Sequence, residues 1–496
     1  MNKTAQHAFM ACAAALLPAA LHAADPAATG PPAQASTMPT PAAPSDQRRT
    51  GYVLDTSTSP FMQTSDGRKI GDPFPVFWDG VWHLYTLSAP VGKVLHFTST
   101  DLVKWVEHQP AMIRKGVATG TVLRHDGKYY LFYTDEPAQT IHLVISDNPW
   151  EFDPGNSRLV AEADGKTYNK GWFRDAYVFH NEEENLWWML IEGRAPEVCT
   201  GLFRSQNLLE WQQCEPIFKD QKRAFGSCPQ IFKQDKLWYL ACQDYPNWYY
   251  TSDTAHGPWT LRGYYQSAAN VAASRFATDG KRQLAWGWFS GAGYGGPLGI
   301  GREMVFNNDG TMGVRPLPEL LAAIRNKQNK LDFASVRKLS GEWKVDPANR
   351  TLQCIGESGG TVLVDLPEKN PNYYFEAELE FGSPQTNAGI VVRSSENIDR
   401  GYRIALGPAT KKIAISGIDP ASKPLNERDY AFPEKNSASL QVFVCDNHME
   451  AFVDGRTSLS VKVADRSCYK MAIGITGGPA TIRKPFLHYF KNENRQ

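Results

Sequence analysis

Charge is scarce in this chain, and what there is cancels. Only 21% of its 496 residues are charged, 52 basic against 52 acidic. A balance of this kind offers no basic field to nucleic acid or to an anionic membrane surface, so neither is expected as a partner. Long apolar runs are equally scarce: beyond the N-terminus nothing approaches the roughly 18 apolar residues of a membrane-spanning helix. Cysteine is sparse and scattered. Of eight, Cys12 sits in an apolar N-terminal run, and the other seven (Cys199, Cys214, Cys228, Cys242, Cys354, Cys445 and Cys468) are odd in number and irregular in spacing. They give neither a disulfide framework nor a zinc pattern, and no metal or cofactor is expected.

The N-terminal run itself has a use. Lys3, the apolar stretch Ala8 to Leu21 and the small-residue site Leu21-His22-Ala23 before Ala24 read as an export signal over residues 1–23. Residues 24–50 are dominated by Pro, Ala, Ser and Thr, which marks a disordered linker. The expected location is periplasmic or secreted.

What the chain has in quantity is aromatics, with 14 Trp, 20 Tyr and 24 Phe. They recur in strand-like phrases: Trp82-His83-Leu84-Tyr85, Tyr129 to Tyr133, Leu186 to Leu190, Leu237 to Leu240 and Leu284 to Trp288. The phrases start roughly 50 residues apart, with no amphipathic helix between them. Short strands at that period predict a five-bladed β-propeller over residues 51–318. Ser99-Thr100-Asp101-Leu102-Val103-Lys104-Trp105 and Ser205-Gln206-Asn207-Leu208-Leu209-Glu210-Trp211 are polar turns whose tryptophans serve to staple blades together. Pro318 to Leu331 reads as an amphipathic helix, assigned as a linker over 319–333. From residue 334 to 496 the pattern is period-two alternation with frequent turns, the mark of an antiparallel β-sandwich.

The most informative stretch joins the two parts. Gln283 to Trp288 is an aromatic strand. Gly301-Arg302-Glu303-Met304-Val305-Phe306 is another, followed by an Asn-Asp-Gly turn, a third strand and Pro316-Leu317-Pro318-Glu319-Leu320. This order resembles the end of the catalytic propeller of glycoside hydrolase family 32, the invertases and fructanases. There a Trp-Gly-Trp strand precedes an Arg-Glu-Leu strand, an Asp-Gly turn and a Pro-x-Pro-Glu-Leu segment. The resemblance implies an all-β fold, a propeller followed by a sandwich, and hydrolysis of a terminal furanoside in an oligo- or polysaccharide.

Retaining glycosidases need a nucleophilic carboxylate and a general acid about 5–5.5 Å apart. Asp72, in Gly71-Asp72-Pro73-Phe74-Pro75, stands where the family has its nucleophile in Asn-Asp-Pro-Asn-Gly. Asp175, in Trp172-Phe173-Arg174-Asp175-Ala176, resembles the Arg-Asp-Pro motif, whose Asp holds two sugar hydroxyls with the Arg beside it. The family's acid is the Glu of Glu-Cys-Pro-Asp, and here the phrase is Ser227-Cys228-Pro229-Gln230. A serine hydroxyl holds its proton too tightly to act as a general acid. Glu192, ending the apolar strand Trp187 to Ile191, is therefore the first candidate for a relocated acid, and Asp244 the second. The alternative for Glu192 is an ion pair with Arg194 or another cation. Arg174, Asp135, Asp244, Ser227 and Trp288 complete the expected substrate-binding set. Two other readings stand beside the leading one: an arabinofuranoside hydrolase of the related, inverting family 43, and a carbohydrate-binding propeller without activity.

Overall fold

The computed structural model describes residues 49–219, 227–242, 247–268, 271–290, 293–327, 331–366, 370–419, 423–432, 436–463 and 467–490. The proposed export signal, nearly all of the linker, and Asp244 lie outside these residues.

The five aromatic phrases become the second strand of each of five blades: Val81–Ala89, Lys128–Asp135, Leu186–Arg194, Leu237–Cys242 and Gln283–Phe289. Sequence and position agree for a physical reason. The second strand of a blade packs on both faces against neighbouring blades, so it tolerates an unbroken apolar run, and Trp82 to Ser88 are all buried. Each pairs with an inner strand along the axis: Lys69–Trp78, Val117–His125, Phe173–Asn181, Gln230–Gln234 and Val271–Thr278.

The polar turns work as expected. The Ser99 hydroxyl accepts from Leu102 N and the Asp101 carboxylate from Val103 N and Lys104 N; Ser205 and Asn207 repeat the pattern. Trp105 then meets Trp286 of the fifth blade edge-on at 5.9 Å, and Trp211 meets Phe132 of the second blade at 5.8 Å.

The helix occupies Pro318–Arg325 and is shorter than expected. Leu320, Leu321 and Ile324 are its buried face, and the polar run beginning at Asn326 supplies no further apolar residue to extend it. The remainder is a sandwich of two sheets around one core of Leu, Ile, Val and Tyr side chains. One sheet contains Tyr373–Phe381, Ser437–Cys445 and His448–Val453; the other contains Asn387–Ser394, Tyr402–Gly407 and Lys470–Thr476. The fold is thus all-β, a five-bladed propeller followed by a sandwich.

The two parts share more than a connection. The outer strand of the fourth blade, Thr260–Ala268, pairs in parallel with Thr457–Lys462 of the sandwich, Ser267 opposite Leu459. One sheet therefore runs from the axis of the propeller to the far edge of the sandwich. Beside this junction, Arg302 of the fifth blade and Glu450 of the sandwich form an ion pair, 1% and 0% exposed.

Candidate active site

Four of the five axial strands carry, or are immediately preceded by, a residue with a left-handed backbone at the same end: Asp72 (φ 41°), Asp175 (φ 61°) and Ala273 (φ 47°) within their strands and Cys228 (φ 48°) just before Gln230–Gln234. The pairing of each of the first, third and fifth inner strands with its second strand slips at this level, between Gly71 and Phe74, Arg174 and Tyr177, and Ala272 and Arg275. Such bulges re-aim a side chain that a regular strand would send into the blade. Here they gather carboxylates at one end of the axis.

Hydrogen bonds link these turns into a ring that passes through all five blades. Asp72 on the first blade accepts from Thr119 Oγ1 on the second. Thr134 of the second blade accepts from the backbone N of Asp175 on the third, 2.9 Å. The Asp175 carboxylate accepts from Cys228 N (3.2 Å) and the Cys228 thiol (3.4 Å) on the fourth. Arg275 of the fifth blade donates to Pro229 O (3.0 Å) and Asp175 O (3.2 Å). Trp288, also of the fifth, closes the ring with its indole N–H on Asp72, 2.9 Å. Seven hydrogen bonds make the ring, and the four that end on Asp72 and Asp175 hold the two carboxylates in place before any ligand arrives.

The electrostatics favour proton uptake. Burial, and then the charge of Asp175, push Asp72 above the usual carboxylate range, against the hydrogen bonds from Thr119 and Trp288. Burial and Glu192 raise Asp175 to about 6, opposed by Arg174 and Arg275. Burial, then Asp175, raise the Cys228 thiol well above its ordinary value, so it is a donor to Asp175 and not a thiolate.

Gly71, where the family has Asn, now has a physical reason. A Cβ there would lie 2.7 Å from the Tyr294 ring and hydroxyl, so only glycine lets Tyr294 pack beside Asp72. Phe74, the other departure, is buried against Tyr85 with ring centroids 6.1 Å apart.

The remaining expected site residues divide. Arg174 lies with Nε 4.0 Å from Asp175 and 2.9 Å from Glu192. Trp288 belongs to the ring. Glu192 is at the same end of the third blade but is fully buried, its carboxylate occupied by Arg174 Nε and by Trp172 Nε1 at 3.0 Å. The cation is Arg174, directly across the strand pair, and not Arg194. Asp135 is engaged by Arg114 through two donors at 3.2 and 2.8 Å. Ser227 is half-buried beside Cys228. Sequence reasoning missed Thr119, Thr134, Arg275, Tyr294 and Trp172; only Trp172 and Thr134 stood in segments already singled out or next to them. On the axis below the ring is a cavity of about 300 Å³ lined by residues such as Thr121, Tyr177, Gln230 and Arg275. Neither Asp72 nor Asp175 lines it, so it is not the carboxylate site.

A five-bladed propeller with a carboxylate pair at one end of its axis, followed by a sandwich, is a glycoside hydrolase family 32-like architecture, and that is the fold of this chain. Residues 70–295 match the family described as Glycosyl hydrolases family 32 N-terminal domain. The fructan 1-exohydrolase of Aegilops tauschii is 26% identical over 216 residues, 38% of this chain and 36% of that protein. The chain thus matches little more than a third of that relative's length. Among solved structures, exo-inulinase from Aspergillus awamori superposes with a TM-score of 0.64 at 13% identity, over 87% of this chain and 97% of its own. Fructan 1-exohydrolase IIa from Cichorium intybus, in complex with 1-kestose, gives 0.63 at 13% identity, over 90% and 99%.

Proposed function

We propose that this protein is an exported glycoside hydrolase that cleaves terminal furanosides, β-fructofuranosides foremost, with retention. Asp72 is the nucleophile. Asp175, raised to about 6 and flanked by Arg174, holds sugar hydroxyls through bonds that strengthen as the ring flattens toward an oxocarbenium ion. Glu192 positions Arg174. The observation that carries the reading is the convergence of Asp72 and Asp175 on one hydrogen-bonded ring within the segment that matches family 32. The similarity to fructan exohydrolases and to an exo-inulinase favours fructans over arabinans.

The test is reducing-sugar release from sucrose, levan, inulin and arabino-oligosaccharides by the wild type beside Asp72→Asn. Release from a fructan by the wild type alone supports the assignment, because an amide cannot attack the anomeric carbon. Equal release by both removes the nucleophile, and preference for arabino-oligosaccharides moves the substrate to the family 43 type. A sugar-binding propeller without turnover is the second reading, favoured by Ser227 at the family's acid position; binding of fructose oligomers with no release would establish it.

A further inference from the structure

The carboxylate ring stands near the N-terminal ends of the axial strands, and the cavity of about 300 Å³ lies beyond it on the same strands. Its lining runs from Phe74 and Arg275, just past the ring, to Trp78, Arg124, His180 and Thr278, the last or next-to-last residues of their strands. Phe74 to Trp78 is four residues, about 13 Å of strand. His180 and Thr278 are exposed and Trp78 and Trp187 are half-buried, so the cavity opens at the end of the axis opposite to Asp72.

No Asp or Glu lines this cavity. Its two arginines are already answered, Arg124 by Asp79 at 2.6 Å and Arg275 by the charge of Asp175. The cavity is therefore close to neutral and suits neither an anion nor a cation. What it offers is uncharged donors and acceptors. Each axial strand is the last of its sheet, so one edge of its N–H and C=O groups faces the axis. Close to the ring, side chains fill these edges. Thr121 donates to Ala176 O (2.8 Å) and accepts from Val178 N (3.3 Å); Gln230 donates to Phe276 O (2.8 Å) and accepts from Phe276 N (2.9 Å). Nearer the open mouth no side chain does so among the described residues. Arg275 is 2% exposed, lies over the Tyr177 ring at 5.6 Å, and has no partner for its Nε. A buried N–H left unpaired is costly, and an occupant of the cavity would relieve it.

Aromatic rings at a mouth and a wall of mixed, uncharged donors and acceptors match a sugar ring, which has an apolar face and hydroxyls that both give and receive. We propose that the far end of the axis is a second sugar site, separate from the carboxylates, which takes one neutral monosaccharide unit against Trp78 and Trp187 with a hydroxyl toward Arg275 Nε. A volume of about 300 Å³ is at the small end of ligand pockets, room for one such unit. The inference needs neither the retaining mechanism nor Asp72 as nucleophile.

The experiment is isothermal titration calorimetry with D-fructose and D-glucose, on the wild type and on two variants of the mouth. The wild type should show a binding event with a dissociation constant on the order of 1 mM, the strength of a sugar-sized ligand. Trp187→Ala should weaken that event about 10-fold or more, through the lost ring contact. Thr278→Trp, at an exposed rim position, should abolish it by filling the mouth. The sugar bound more tightly names the occupant, and a crystal soaked in it should show it between Trp187 and Arg275. Far-UV circular dichroism checks that both variants fold. Binding that either variant leaves unchanged, no binding at all, or water alone in the soaked cavity overturns the inference. Turnover of β-fructofuranosyl fluoride, whose departing anion needs no proton, is followed in parallel. Turnover without binding at the cavity removes the second site and leaves the hydrolase standing; binding there without turnover of any furanoside does the reverse.

Discussion

Glu192→Gln separates two roles for one carboxylate. Glu192 is wholly buried, with Arg174 Nε at 2.9 Å and Trp172 Nε1 at 3.0 Å. Removing one member of a buried ion pair costs about 3–5 kcal/mol. The cost here should be smaller, about 2 kcal/mol, because the Arg174 side chain is 29% exposed and the amide still accepts from Trp172. Urea unfolding measures it. The second consequence is electrostatic. After burial, Glu192 is the next cause lifting Asp175 to about 6. Without that charge, Asp175 ionises at lower pH, so the acidic limb of kcat/KM on β-fructofuranosyl fluoride should move below its wild-type position. If Glu192 were the general acid, the outcome would differ: the acidic limb would stay, and the loss would fall on sucrose far more than on the fluoride. That pattern would refute the positioning role.

Asp175→Asn should abolish turnover yet stabilise the fold. A carboxyl raised from 3.8 to about 6 contributes stability only while protonated, so at pH 7.5 the wild type carries a burden of about 3 kcal/mol that the amide lacks. The difference in melting temperature should shrink as pH falls from 6 toward 4; a gap unchanged across that range would contradict the cause given. Ser227→Glu should raise kcat/KM on sucrose about 100-fold if residue 227 stands at the family's acid position, and no gain would break that register. Glu450→Ala should lower the unfolding free energy by about 3–5 kcal/mol, since it strands Arg302, 1% exposed, at the junction of propeller and sandwich; a loss under about 1 kcal/mol in thermal unfolding would show that Arg302 finds water there.

The blades were legible because the second strand of each is buried on both faces and leaves an unbroken aromatic signature. The sandwich was legible because its strands alternate. Asp72 and Asp175 were found because Asp72-Pro73 and Arg174-Asp175 are compact local phrases that resemble motifs of family 32; the left-handed backbone that aims them appears only in the fold. The partner of Glu192 was not legible. Arg174 and Glu192 face each other only because the pairing slips between Arg174 and Tyr177, and a bulge of that kind sets register without a residue signature. The same holds for Arg275, Thr119 and Thr134, ordinary strand residues whose importance comes from contacts between blades far apart in sequence. Asp135, at a strand end, read as a residue for sugar hydroxyls, and only the fold brings Arg114 to it. The helix ended early because the sequence after Arg325 turns polar before a third turn can be buried.

The parallel pairing of Ser267 with Leu459 bears on the order in which this chain assembles. The strand that pairs with the end of the fourth blade's outer strand, at Ser267 and Ala268, is made roughly 190 residues after that blade. Until it arrives, an edge of unpaired amides and carbonyls stays open to any extended chain nearby. A contact of such long range is slow to form, because the loop must close before the pairing can reward it. The propeller thus waits on the sandwich. A nascent or truncated chain that stops before Thr457 would expose a template for intermolecular strand addition, and the full-length protein removes that hazard only with its last strands.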